Sequence, residues 1–259
     1  MVANWSRLRT TTYPLSLLQQ VSMCLWRSFI RMRNNLTPVI SGVIGQAVLA
    51  VIIGSVYYNL EPTTASFEKR AILIYFGLML NAFSPAFEVP PPPPFLITPK
   101  LLADPPQIYT IRLARPLIES HSRLSLYHPS TDALSTFLST LPTKALTILL
   151  TNLPLYFMTS LQRTPAAFFT FLLFMLVCTL TMSLFFRMLG SLSRTLEETM
   201  APVAAVVMLF VVYAGYVVPQ GEMRVWLGWV RWVDPVFWAY GGLMVNEVRC
   251  PPCVARARM

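Results

Sequence analysis

The sequence predicts an all-α membrane protein: about five transmembrane helices preceded by an amphipathic interfacial helix. Three observations carry this. The 259 residues are 55% hydrophobic and only 12% charged, with mean hydropathy +0.56. A soluble domain of this length carries about twice that charged fraction. The apolar residues are clumped into blocks long enough to cross a bilayer, for which about 20 residues of helix suffice. The basic residues that give the net charge of +9 lie between those blocks. That is how a membrane protein carries Lys and Arg, and it argues against nucleic acid as a partner.

The elements follow in chain order. Residues 1–13 form an N-terminal tail without an apolar core, so no cleavable signal peptide is expected there. Residues 14–36 predict an amphipathic connecting helix. Leu18, Val21, Leu25, Phe29 and Met32 recur at steps of three and four, while Arg27, Arg31 and Arg33 gather towards its end. An apolar stripe beside arginines describes a helix lying in the membrane interface. Residues 37–250 are then the transmembrane domain, with spans near 37–58, 71–89, 145–161, 165–186 and 199–218, and 251–259 form a tail. The third span is short and is expected to kink at Pro154. Gln46, Asn81 and Asn152 are the main polar side chains within the spans; interhelical hydrogen bonding explains them better than ion coordination does.

Lys and Arg set the orientation. With the N-terminus inside, Arg7, Arg9, Arg27, Arg31, Arg33, Lys100, Arg112, Arg115, Arg123, Lys144, Arg187 and Arg194 are cytoplasmic. Only Lys69, Arg70 and Arg163 fall in the short outer loops, and this excess favours a cytoplasmic N-terminus. Five further arginines follow Val218, on the outer side. In that region Trp226, Trp229, Trp232 and Trp238 resemble an aromatic interface belt, broken by Asp234-Pro235. Two short helices dipping into the outer leaflet fit this better than a sixth span. Cys250 and Cys253 have CxxC spacing, for which an outer disulfide is preferred to a metal site. Cys24 and Cys178 read as apolar filler.

Beyond the second span, "ARPLIESHSRLSLYHPSTDALSTFLSTLPTK" carries Arg115, Pro116, Glu119, His121, Tyr127, His128, Pro129 and Ser130, then Leu141, Pro142 and Lys144. This stretch resembles the first intracellular loop of fungal ATP-binding-cassette exporters of the pleiotropic-drug-resistance class, the G subfamily. Its pattern there is close to A/Q-R-P-I-x-E-K-H-x-x-Y-x-x-Y-H-P-S, followed by L-P-x-K. The later stretches "AAFFTFLLFMLVCTLTMSLFFRMLGSLSRTLEETMAP" and "YAGYVVPQGEMRVWLGWVRWVDPVFWAYGGLMVNE" agree. The resemblance runs from about Pro14 to Cys250 and is to the first membrane domain, of which this would be an incomplete copy with the sixth helix missing.

The resemblance implies a membrane domain that exports amphipathic drugs or lipids from the plasma membrane. It implies partners: nucleotide-binding domains, a second membrane domain and the bilayer. ATP and Mg are expected at the nucleotide-binding domains only, since no G-x-x-x-x-G-K-[S/T] loop occurs in this sequence. Arg115, Glu119 and His121 would lie on the coupling loop. Glu88, at the base of the second span, is a candidate ion-pair partner for Arg27 or Arg31. A substrate cavity would use Ile74, Leu78, Asn81 and Pro85 on the second span and Ala204, Met208, Val211 and Gly215 on the fifth. Tyr216 and Val217 would form an outer valve.

One stretch departs from the resemblance. Residues 89–107, with five consecutive prolines from Pro90 to Pro94, separate Glu88 from "IYTIRLARP". Five prolines span about 15 Å of polyproline II, and a docking site for a proline-recognition domain is one reading. The other, preferred here, is a retained intron or mis-joined exon. Three functions therefore compete: a permease needing nucleotide-binding domains, a non-transporting remnant, and an intramembrane enzyme. The enzyme fails for want of a His-rich cluster, paired carboxylates or a Ser/His dyad in the spans.

Overall fold

The computed structural model describes residues 16–34, 36–60, 66–87, 121, 124, 127–162, 164–192, 196–219, 221, 223 and 226–248. Among these residues the secondary structure is helical, with no strand. The helices are α1 (Leu17–Asn34), α2 (Thr37–Val56), α3 (Phe67–Phe87), α4 (Pro129–Met158), α5 (Pro165–Leu192), α6 (Leu196–Tyr213), α7 (Val230–Val233) and α8 (Pro235–Val248). Each predicted span coincides with one helix from α2 to α6. Two of them, α4 and α5, are long and apolar enough to cross a membrane by length and composition; Gly42–Val56 and Ala201–Tyr213 are shorter apolar stretches.

Helix α3 is the hub. It packs against α2, α4, α5 and α8, and Leu73, Ile74, Leu78 and Ala82 are buried along it. Helix α4 carries α1 and α2 on its other side, while α6 packs chiefly on α5, α7 and α8. The exterior is as apolar as the interior. Leu146, Leu149, Leu150, Leu153 and Phe157 form an exposed stripe on α4, and Phe169, Leu173, Val177, Leu184 and Met188 are exposed on α5. Inside, Asn81, Thr151, Asn152, Thr179 and Ser183 are buried. Water would penalise so large an apolar surface, and a bilayer would not.

The buried amides join three helices. Asn81 and Asn152 each donate Nδ2 to the other's Oδ1 at 3.1 Å. Each also donates to the carbonyl one turn earlier, Gly77 at 2.7 Å and Ile148 at 2.8 Å. The Thr179 hydroxyl of α5 reaches the Asn81 carbonyl at 3.4 Å. Nearby, a Cβ on Gly77 would lie 2.7 Å from the Leu155 side chain, so the absence of one lets α3 and α4 approach.

Two boundaries differ from the sequence reading. The third span is part of a helix that starts at Pro129 and runs through Pro142 and Pro154. Proline is pre-organised for the first helical turn and is tolerated inside membrane helices, so the helix extends well before the expected span. The fifth span stops at Tyr213, not 218, because Gly215 adopts φ +92°, a left-handed conformation that ends a helix. Helix α1 lies on α4. It turns Gln20 and Cys24 inward, while Leu18 and Phe29 from the predicted stripe are exposed along with Trp26. Val21, Leu25 and Met32 of the stripe are half-buried, so the apolar face of α1 is divided between the contact with the bundle and the exterior. Residues 89–107, Cys250 and Cys253 lie outside the described residues.

Candidate functional site

Helix α4 begins at a built junction. His128 is its N-cap: Nδ1 accepts from the Ser130 backbone N–H at 3.3 Å, and Pro129 occupies the first helical position. The Thr131 hydroxyl donates to the His128 carbonyl at 2.6 Å. The "HPST" stretch is thus a helix-start device, and it places Asp132 in the first turn, where the helix dipole favours an acid.

Helix α1 is fastened to this start. Gln20 Oε1 accepts the His128 backbone N–H at 3.1 Å. One turn along is Cys24, whose thiol burial pushes upward from its ordinary range, away from reactivity. Two turns from Gln20, Arg27 donates to Asp132 Oδ1 at 2.7 Å and to the Tyr127 hydroxyl at 3.4 Å. Its guanidinium also lies 5.5 Å from the Tyr127 ring centroid. The Tyr127 hydroxyl in turn meets His121 Nδ1 at 3.0 Å. A continuous polar path therefore runs from His121 through Tyr127 to Arg27 and Asp132. The Arg27 side chain is 38% exposed and that of Asp132 12%, so screening limits the pair to about 1 kcal/mol. This junction links parts more than it stabilises them.

The predicted site residues divide. His121 sits in the junction. Glu88, Arg115 and Glu119 lie outside the described residues, and so does the side chain of Pro85. Arg27, proposed as a partner for Glu88, is engaged by Asp132. Ile74, Leu78 and Asn81 are 2%, 0% and 1% exposed and pack within the core of the described residues. On α6, Ala204 and Met208 are exposed, Val211 half-buried. The more open face of α3 carries Ile72, Phe76, Met79 and Phe83, one helical stripe, with Phe76 exposed.

Tyr216 is held between two other tyrosines, with ring centroids 4.9 Å from Tyr75 and 6.2 Å from Tyr240. Tyr75 donates its hydroxyl to the Val211 carbonyl at 3.0 Å, which fixes the end of α6 against α3. Val217, beside it, is exposed. Among the described residues no group of three or more His, Cys, Asp or Glu side chains has the geometry of a metal site.

Sequence reasoning missed Gln20 and Asp132. An acid in the first turn after "HPS" was the available signal, but only the fold reveals that α1 lies across it. It also missed the ion pair between Arg70 and Glu247, which are 177 positions apart.

The family model described as "ABC-2 type transporter" matches residues 19–91 and 107–248, leaving 92–106 unmatched. The chain is 38% identical over 235 residues to "ABC multidrug transporter A-2" of Aspergillus fumigatus, covering 91% of this chain and 14% of that protein. It is 37% identical over 238 residues to "ABC multidrug transporter atrH" of Aspergillus oryzae, covering 92% and 15%. "ABC multidrug transporter MDR3" of Trichophyton rubrum is 35% identical over 239 residues, again 92% and 15%. The chain therefore spans about one-seventh of the length of the relatives it matches.

Proposed function

Since the chain belongs to the ABC-2 type transporter family, we propose that it is the permease part of an ATP-driven exporter of amphipathic drugs or lipids. The observation that carries this is the family match over nearly the whole described chain, to a bundle with an apolar exterior and polar side chains buried within its apolar core. In this reading the five helices α2 to α6 cross the plasma membrane with the N-terminus cytoplasmic. The junction of α1, His121, Tyr127 and α4 then faces the cytoplasm. ATP and Mg bind at nucleotide-binding domains outside this stretch, and their closure reaches the membrane helices through the coupling loop: Glu88, Arg115, Glu119 and His121. His121 has a route onward, because Tyr127 and Arg27 connect it to both α1 and α4.

The substrate cavity forms between this domain and a second membrane domain. Ala204 and Met208 contribute from α6, where they are open to a facing partner. On α3 the corresponding wall is the Ile72, Phe76, Met79 stripe, with Ile74, Leu78 and Asn81 supporting it from behind. Tyr216 and Val217 form the outer valve. A second reading, a non-transporting remnant, draws on residues 92–106, which the family match skips.

The test is a chimera. This chain replaces the matching segment of a fungal relative, with and without residues 89–107, and ATP-dependent efflux of a fluorescent amphipathic dye is measured in cells. Efflux from the chimera lacking 89–107, with none from the chain expressed alone, is the expected result. Correct membrane insertion without efflux in either chimera would favour the remnant.

A further inference from the structure

Arg70, in the first turn of α3, and Glu247, in the last turn of α8, form a buried ion pair at the end of the bundle opposite the α1–α4 junction. Their side chains are 9% and 8% exposed. Arg70 Nη2 also donates to the Leu60 carbonyl at 3.1 Å, and the Gln162 backbone N–H donates to Glu247 Oε2 at 3.4 Å. One pair thus ties together the α2–α3 connection, the start of α3, the α4–α5 turn and the end of α8. Charges buried in a membrane domain are costly and usually have a specific task.

Most of α8 packs on α5 and α3, and its other end meets the end of α6. A Cβ on Gly215 would lie 3.2 Å from the Phe237 ring, and Tyr240 flanks Tyr216. These contacts are aromatic, and among the described residues no ion pair joins α6 to α8. The two ends of α8 are therefore unequal: one is fixed by charge to three connections, the other rests on rings.

We infer that Arg70 and Glu247 are positioning residues that lock α8 as the fixed stop against which the segment Ala214–Val217 closes. This rests on the valve reading proposed above. When the valve opens, the end of α6 parts from Phe237 and Tyr240 while α8 stays on α3 and α5. Neither charged residue touches Tyr216, so their effect on the valve passes through the placement of α8.

Cysteine accessibility tests this in the full chain, reconstituted in phosphatidylcholine nanodiscs with Cys250→Ser and Cys253→Ser. Ala214, fully buried at the valve, becomes the reporter as Ala214→Cys; Cys178, buried in α5, reports on the bundle. A charged maleimide should react slowly with both. Adding Glu247→Gln, or separately Arg70→Met, should speed the Ala214→Cys reaction by about tenfold or more while Cys178 stays protected. An unchanged rate in both variants would overturn the inference. So would parallel exposure of Cys178, because the pair would then hold the whole bundle and not α8. Tyr216→Ala in the same background tests the valve alone: an unchanged Ala214→Cys rate there removes the valve reading whatever the charge variants do.

Discussion

Asp234 is fully buried at the break between α7 and α8, where Oδ1 caps α8 by accepting the Val236 N–H at 2.9 Å. Its Oδ2 finds no hydrogen-bond partner among the described residues. Burial, partly opposed by the backbone donors of Val236 and Phe237, pushes the carboxyl up from 3.8 to about 7. Between those two values the folded chain holds a proton that the unfolded chain has released. Stability therefore falls as pH rises through this window and is recovered on acidification. Melting temperature in detergent should be higher at pH 5.5 than at pH 8, and Asp234→Asn should flatten the difference; an unaltered slope in the variant would assign it elsewhere. The reciprocal amides make a second prediction. Asn81→Ala and Asn152→Ala each strand a buried partner, at a cost of about 1–3 kcal/mol. The double variant should cost less than their sum, with a coupling of about 0.6–1.7 kcal/mol. Strict additivity in a denaturation cycle would show that the amides do not act as a pair. Asn81 and Asn152 were legible as side chains suited to interhelical hydrogen bonding, but that they pair with each other was not. Periodicity gives a face, and only the neighbouring helix decides whether that face meets a cavity or another amide.

Helix α8 illustrates how close contact sets the cost of a methyl group. A Cβ on Gly242 would fall 2.5 Å from the Phe174 ring of α5, whereas one on Gly241 would meet nothing within 4 Å. Gly242→Ala should destabilise by about 1–3 kcal/mol through overpacking. Gly241→Ala should be neutral or stabilise by up to about 1 kcal/mol through helix propensity. Equal melting temperatures for the two variants would contradict the packing of α8 on α5. The split of α8 from α7 was readable from Asp234-Pro235, because proline at a helix start is a strong local signal. The same residue type misled at α4: in a helix buried among others, Pro142 and Pro154 cost less than they would in water, so the start at Pro129 went unseen. Helix α1 shows a different limit. Its stripe of Leu18 and Phe29 was correctly apolar, but periodicity does not say whether an apolar face meets protein or lipid. Deleting Val89–Gln107 is the prediction for the connection after α3. The family match resumes at 107, so the deletion should raise the melting temperature; a lowered one would make the stretch part of the fold.

Across the whole molecule, the exposed leucines of α4 and the phenylalanines and leucines of α5 surround a core that contains amides, hydroxyls and one buried ion pair. Composition and clumping made the membrane class legible before any coordinates, since only a bilayer accepts that distribution. The junction of α1 with α4 was legible in part: His121, Tyr127 and His128 stand in a recognisable stretch, while Gln20 and Asp132 join them only when α1 folds back across 100 or more intervening positions. In the function proposed above, this junction passes movement from nucleotide-binding domains to the membrane helices and does little for stability. The most direct measurement takes the chimera with a fungal relative and determines ATP hydrolysis and dye efflux together for Asp132→Asn and Arg27→Gln. Hydrolysis should stay within about twofold while efflux falls about tenfold or more, the size of a lost coupling free energy. Unchanged efflux in correctly inserted variants would contradict it.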